Sequence, residues 1–166
     1  MQYTIAAAIA VVAALVEFTV VPYLKVGNAV PHPILVFGVI FAIASGFEAG
    51  LVWAFVGGLT LDILTQRPLG SSAFALLVAI GAASIVGSLF GRVRIVAPIV
   101  ATAVASVIYS MLSLAAVSML SPATLSSVSA EGVVGSMLYD TVLAALFGPL
   151  VMAFVLRRRE AEWVDR

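Results

Sequence analysis

The chain has 166 residues, 63% of them hydrophobic and only 10% charged, with a formal net charge of zero and a mean hydropathy of +1.22. Soluble domains are roughly half apolar and a quarter charged, so this composition excludes one and points to an integral membrane protein. The balanced charge gives no electrostatic case for nucleic acid, and the absence of cysteine excludes disulfides, thiolate metal sites and cysteine nucleophiles.

A crossing helix needs about 20 apolar residues, which leaves room for about five or six crossings and no soluble domain. The predicted architecture is an all-α polytopic bundle, a single membrane domain over residues 1–166. Six transmembrane segments are predicted, with five as the alternative.

The first segment covers about Tyr3 to Val21 and closes at Val21-Pro22-Tyr23, where proline stops a helix and tyrosine suits the interface. Met1-Gln2-Tyr3-Thr4 lacks the basic flank of a secretory signal, so a retained helix is expected. Glu17 lies near its distal end. From Leu24 to Pro33 the chain holds Lys25, Gly27, Asn28, Pro31, His32 and Pro33, the chemistry of a loop.

The apolar run from Ile34 to Leu64 is too long for one crossing without strong tilt. It is interrupted by Ser45-Gly46-Phe47-Glu48, which predicts a short segment, about Ile34 to Ala44, and a second, about Ala49 to Leu64, joined by a tight turn. The short piece must be shielded by neighbours or bend within the bilayer. Glu48, at the turn, is expected to be solvated.

The fourth segment, about Ser71 to Gly91, ends at Arg92-Val93-Arg94, and the fifth, about Ile95 to Leu120, ends before Ser121-Pro122. A serine-rich connection runs to Glu131. The sixth, about Gly132 to Leu156, ends in Arg157-Arg158-Arg159 and a charged tail with Trp163.

Cytoplasmic flanks collect Lys and Arg. With six crossings and both ends inside, Arg92, Arg94, Arg157, Arg158, Arg159 and Arg166 are cytoplasmic and only Lys25 and Arg67 lie outside. A single crossing over residues 34–64 would move the N-terminus out and Lys25 in. The six-crossing arrangement brings Glu17, Asp62 and Asp140 towards the outer side.

Charged side chains within spans usually face the bundle interior and pair there. Asp62 is expected to pair with Arg67, with Ser71 or Ser72 capping the following helix. An Asp at a helix end beside an Arg-Pro turn is expected to fix the turn rather than to catalyse. No nucleophile or substrate cleft accompanies these acids, and the lone His32 has no second histidine for a metal. No catalytic residue, metal or cofactor is therefore expected.

Small residues recur at Gly50, Ala54 and Gly58, one turn apart and leading to Asp62, and Gly87 with Gly91 forms a GxxxG pair. Such stripes let helices approach closely, either within the bundle or at a partner face. Ser106, Ser110 and Ser113 can hydrogen-bond across helices.

Gly57-Gly58-Leu59 followed by Asp62, then Arg67 and Pro68-Leu69-Gly70 with Ala73, together with Pro33 opening the second helix, resembles the rod shape-determining protein MreD family. The resemblance implies a polytopic scaffold subunit of the bacterial cell-elongation complex in the cytoplasmic (inner) membrane. It further implies association with an MreC-like bitopic protein, a RodA-type polymerase with its class B penicillin-binding protein, and an MreB-type filament, besides membrane lipid. The family is also similar in fold to the S component of energy-coupling factor transporters, which makes a vitamin- or metal-binding transporter subunit the alternative function.

Overall fold

The computed structural model describes the backbone of residues 2–90, 96–120 and 130–164, and the side chains of residues 3–90, 96–116 and 131–151. Gly91, Arg92, Arg94, Arg166 and the connection from Ser121 to Ser129 lie outside the described residues. The side chains of Arg157, Arg158, Arg159 and Trp163 do so too.

The described residues form six helices: α1 (Gln2–Val20), α2 (Pro33–Ser45), α3 (Phe47–Thr65), α4 (Ser71–Leu89), α5 (Val96–Leu120) and α6 (Ala130–Val164), with a 3-10 turn at Val21–Tyr23 after α1. Five candidate spans are long and apolar enough to cross a membrane, and α2 is a shorter apolar helix. The sixth helix continues well past the predicted end at Leu156, through the arginine run to Val164.

Residues 34–64 form two helices running in opposite directions. Gly46, at φ 111°, makes the turn in a backbone region open to glycine. The N-terminal end of α2 meets the distal end of α1, where Glu17 accepts the Ile34 N–H at 2.8 Å. The start of α3 meets the start of α1, where the Tyr3 hydroxyl donates to Glu48 at 2.5 Å; Glu48 is therefore bonded and not simply solvated. Both ends of the described chain consequently emerge at one end of the bundle, and the loops that precede α2 and α4 gather at the other.

With 13 residues, α2 extends about 20 Å at 1.5 Å per residue, short of a hydrocarbon layer about 30 Å thick. It lies at the centre of the bundle, in contact with every other helix. A helix that is apolar all round belongs there. Ile34, Leu35, Val36, Val39 and Ile40 are all buried. The remaining depth is filled by the non-helical segment before it, where Pro31 is fully buried. Such backbone is tolerated at membrane depth only when protein groups satisfy it.

The small-residue stripe of α3 packs inside this bundle. A Cβ on Gly50 would collide with Ala42 of α2, and one on Gly58 with the backbone of Ala73 in α4. Ala54 is fully buried, and a Cβ on Gly87 would press on Ile43 at 3.1 Å. A second stripe, Ala6, Ala10 and Ala14 on α1, is fully buried, with Ala10 facing Gly57 of α3. Gly58→Ala should lower unfolding stability by about 1–3 kcal/mol, because the α4 backbone must retreat. Denaturant titration in detergent would measure this, with Gly81→Ala, where a Cβ meets open space, as the neutral control.

Large apolar residues instead cover the outside, among them Ile5, Ile9 and Val12 on α1 and Val142, Leu146 and Leu150 on α6. This is the surface that lipid solvates. Among the described residues α1 and α6 do not touch each other, so the ring around α2 has a seam. On α2, Phe37 packs against Phe147 of α6 and Phe41 stacks on Trp53 of α3, and both phenylalanines are half-buried.

Candidate functional site

The three acids singled out by the sequence all lie at the end where the loops before α2 and α4 enter the bundle, and each binds backbone. Helix starts leave unpaired N–H groups, and in an apolar setting each unmet donor is costly. A carboxylate from a neighbouring helix meets that demand.

Asp62, fully buried near the end of α3, accepts the Gly70 N–H at 2.8 Å, the Ser72 N–H at 2.9 Å and the Ser71 hydroxyl at 3.1 Å. It thereby caps α4 from the preceding helix, and neither serine performs that task. The expected ion pair with Arg67 is absent. Arg67 contributes its backbone N–H to the Asp62 carbonyl at 3.1 Å, while its side chain is exposed and joins no ion pair among the described residues. The turn between them closes through Gln66 and Gly70, both at positive φ (53° and 95°), with Pro68 and Leu69 exposed on its outside. One helical turn before Asp62, Gly58 gives the first turn of α4 the room it needs. Gly58 and Asp62 thus serve a single close approach.

Glu17 and Asp140 grip the segment that leads into α2 from opposite sides. Glu17, buried on α1, takes the Ile34 N–H through Oε2. Asp140, fully buried on α6, accepts the His32 N–H at 2.7 Å through Oδ1. Its Oδ2 lies 3.0 Å from His32 Nδ1 and takes the Ser106 hydroxyl at 2.6 Å. One turn earlier on α6, Ser136 Oγ accepts the Val30 N–H at 2.9 Å. Pro33 at the first position of α2 has no N–H to satisfy, so few donors are left over.

His32, unremarkable in sequence beyond its two flanking prolines, is the centre of this arrangement. Its ring meets Tyr109 of α5 edge-on, with centroids 5.0 Å apart, and its contact with Asp140 is the only ion pair among the described residues. Burial disfavours charge on the imidazole, but the hydrogen bond and charge of Asp140, backed by the charge of Glu17, outweigh both burial and the opposing Arg67. The pKa is raised above its ordinary 6.5. The ion pair therefore contributes fully below that ordinary value and is lost as pH rises through the raised one. Melting temperature in detergent should fall as pH is raised across that window, and His32→Phe should flatten the dependence.

Next to this cluster is a cavity of about 330 Å³ bordered by Glu17, Lys25, His32, Arg67, Tyr109 and Ser113, with Phe18, Val21 and Leu61 among its apolar walls. Glu17 is the only one of the three acids that borders it. Asp62 and Asp140 are occupied with backbone and point elsewhere in the fold. Among the described residues no group of His, Asp or Glu is arranged to hold a metal ion. The signal that sequence reading missed is the set of cations: Lys25 and Arg67, far apart in the chain, border one space.

Compared with known proteins, the chain matches the family described as rod shape-determining protein MreD over residues 1–158. No curated protein and no solved structure matches it.

Proposed function

The chain belongs to the MreD family of rod shape-determining proteins, and from that membership we propose a non-catalytic scaffold subunit of the bacterial cell-elongation complex. The observation that carries this reading is the extent of the family match, which takes in all six helices up to residue 158. The family is one of structural membrane proteins concerned with cell shape. The protein is a multi-pass membrane protein, and we place it in the cytoplasmic membrane with both ends inside. In that orientation the acid-bound corners and the cavity face outwards, because basic residues collect on the cytoplasmic side.

The geometry favours scaffolding over chemistry or transport. Asp62 and Asp140 each accept several protein hydrogen bonds, which leaves them no free role in acid–base catalysis or in gripping a substrate. Rigid corners suit a part whose task is to hold other helices at fixed angles. A transporter's binding subunit for a metal ion would need a cluster of ligating side chains, and the cavity offers one acid, Glu17, beside one histidine, His32.

The single membrane helix of an MreC-like partner is proposed to lie in the seam between α1 and α6, over Phe37 and Phe41. The small-residue stripes are already filled from within, so the seam is where α2 remains incompletely covered. A RodA-type polymerase with its class B penicillin-binding protein, and the MreB-type filament, would join through that assembly.

Mass spectrometry of proteins co-purifying in mild detergent tests the reading. Recovery of an MreC-like protein is expected, and recovery of ATPase subunits with a transmembrane coupling protein would replace the scaffold with a transporter. Because the native chain has no cysteine, Phe37→Cys can be cross-linked directly, with Ile85→Cys on the outer face of α4 as control. The partner should be trapped from Phe37 and not from Ile85; trapping from Ile85 alone would move the interface to α4.

A further inference from the structure

We propose that the cavity beside His32 binds the phosphate-bearing headgroup of an anionic amphiphile, recognised by Lys25 and Arg67. This inference rests on the cavity alone and does not depend on the scaffold reading.

The first observation is charge. Lys25 and Arg67 both border the cavity and are both exposed. Neither joins the only ion pair found among the described residues, that of His32 with Asp140. Two cations without carboxylate partners on one rim form an anion-binding surface, and guanidinium in particular matches phosphate oxygens with paired donors.

The second observation is depth. The cavity is built from the ends of candidate spans and the residues just past them: Val21 and Pro22 close the span Tyr3–Tyr23, and Thr65 closes the span Phe47–Thr65. Residues at span ends lie where lipid headgroups do. A phosphate there remains near water while its chains run down the apolar outside of the bundle.

The third observation is the graded lining. Behind the cations, Phe18, Val21 and Leu61 form an apolar wall, and Glu17, Tyr109 and Ser113 supply polar atoms. Among the described residues Ser113 Oγ is buried with no hydrogen-bond partner, and Glu17 engages the fold through Oε2. The other Glu17 oxygen repels a phosphate but accepts from a hydroxyl or ammonium carried by the same headgroup. The arrangement thus selects a phosphate at the rim joined to a hydrogen-bond donor deeper in. A volume of about 330 Å³ falls within the range of about 300–1,000 Å³ usual for small-molecule sites.

Native mass spectrometry of the full chain, delipidated in detergent and given phosphatidylglycerol or phosphatidylcholine, tests the site. Phosphatidylglycerol should be retained in preference. Lys25→Ala and Arg67→Ala should each weaken retention about fivefold, and the pair together about 25-fold, as expected for each cation near an anionic headgroup. Among the described residues neither side chain joins an ion pair, so melting should change little, and Lys25→Arg should retain binding. Displacement of the lipid by millimolar inorganic phosphate would identify the free anion as sufficient. Resistance to it would identify the lipid as the ligand; both results support the site. Equal retention of the two lipids, or retention unaltered in both single variants, would overturn it.

Discussion

Asp62→Ala is expected to lower unfolding stability by about 3–5 kcal/mol, because it removes one buried acceptor shared by three donors. The change leaves the Gly70 and Ser72 N–H groups and the Ser71 hydroxyl without their acceptor. They sit at the first turn of α4, packed against α3, where each unmet donor costs about 1–3 kcal/mol. Asp62→Asn is expected to recover part of the loss. Its carbonyl oxygen can still accept, but its NH2 is forced towards other donors. Unfolding in denaturant, followed by helical circular dichroism in detergent, measures both variants. Equal stability of Asp62→Ala and the parent would mean that water reaches the corner and that the carboxylate does not hold it. Because Gly58 serves the same approach of α3 to α4, Gly58→Ala and Asp62→Ala should combine non-additively, as neighbouring changes do.

Asp140→Ala is expected to cost a similar amount, about 3–5 kcal/mol, but with a different signature. Here the losses fall on the His32 N–H, the His32 ring and the Ser106 hydroxyl. His32 would lose the partner that raises its pKa, so burial would then dominate and drive that pKa down. The variant should therefore lose stability and reverse the pH dependence of melting, which would rise with pH through the ordinary imidazole range, whereas Asp62→Ala should keep the parent's profile. Ser106→Ala, which removes only one donor, should cost about 1 kcal/mol and leave the pH profile in place. A full pH dependence persisting in Asp140→Ala would assign it to a group other than the His32 ion pair.

The two acids show how the structural demand arises. In a soluble protein, the loops before α2 and α4 would lie in water and need no acceptor from the interior. Here α2 is too short to reach across the membrane, so the segment from Val30 to His32 is drawn into the bundle and its backbone must be satisfied there. Ser136, Asp140 and Glu17 each meet one of the successive donors at Val30, His32 and Ile34. A membrane helix with a buried carboxylate is often read as a route for ions or substrate. In this fold the carboxylates replace water around irregular backbone.

Much of this was legible in the sequence. Apolar composition and segment length determined an all-helical membrane bundle, and Gly46 with its polar neighbours marked the turn that divides residues 34–64. The motif from Gly57 to Ala73 pointed to the family and to Asp62, since an acid next to a turn in so apolar a chain needs partners. Sequence could not choose those partners. Arg67 is the nearest opposite charge along the chain, yet the α3–α4 turn aims the Asp62 carboxylate at N–H groups that carry no mark in the sequence.

Tertiary structure alone decided the rest. It sent the small-residue stripes inward, because α2 and α4 approach α3 along them, and it paired His32 with Asp140, more than a hundred residues away. It also brought Lys25 and Arg67 to one cavity. The physical reason is one of range: hydropathy and turn chemistry are local properties, whereas the partners of buried donors and the convergence of charges depend on which helices lie side by side.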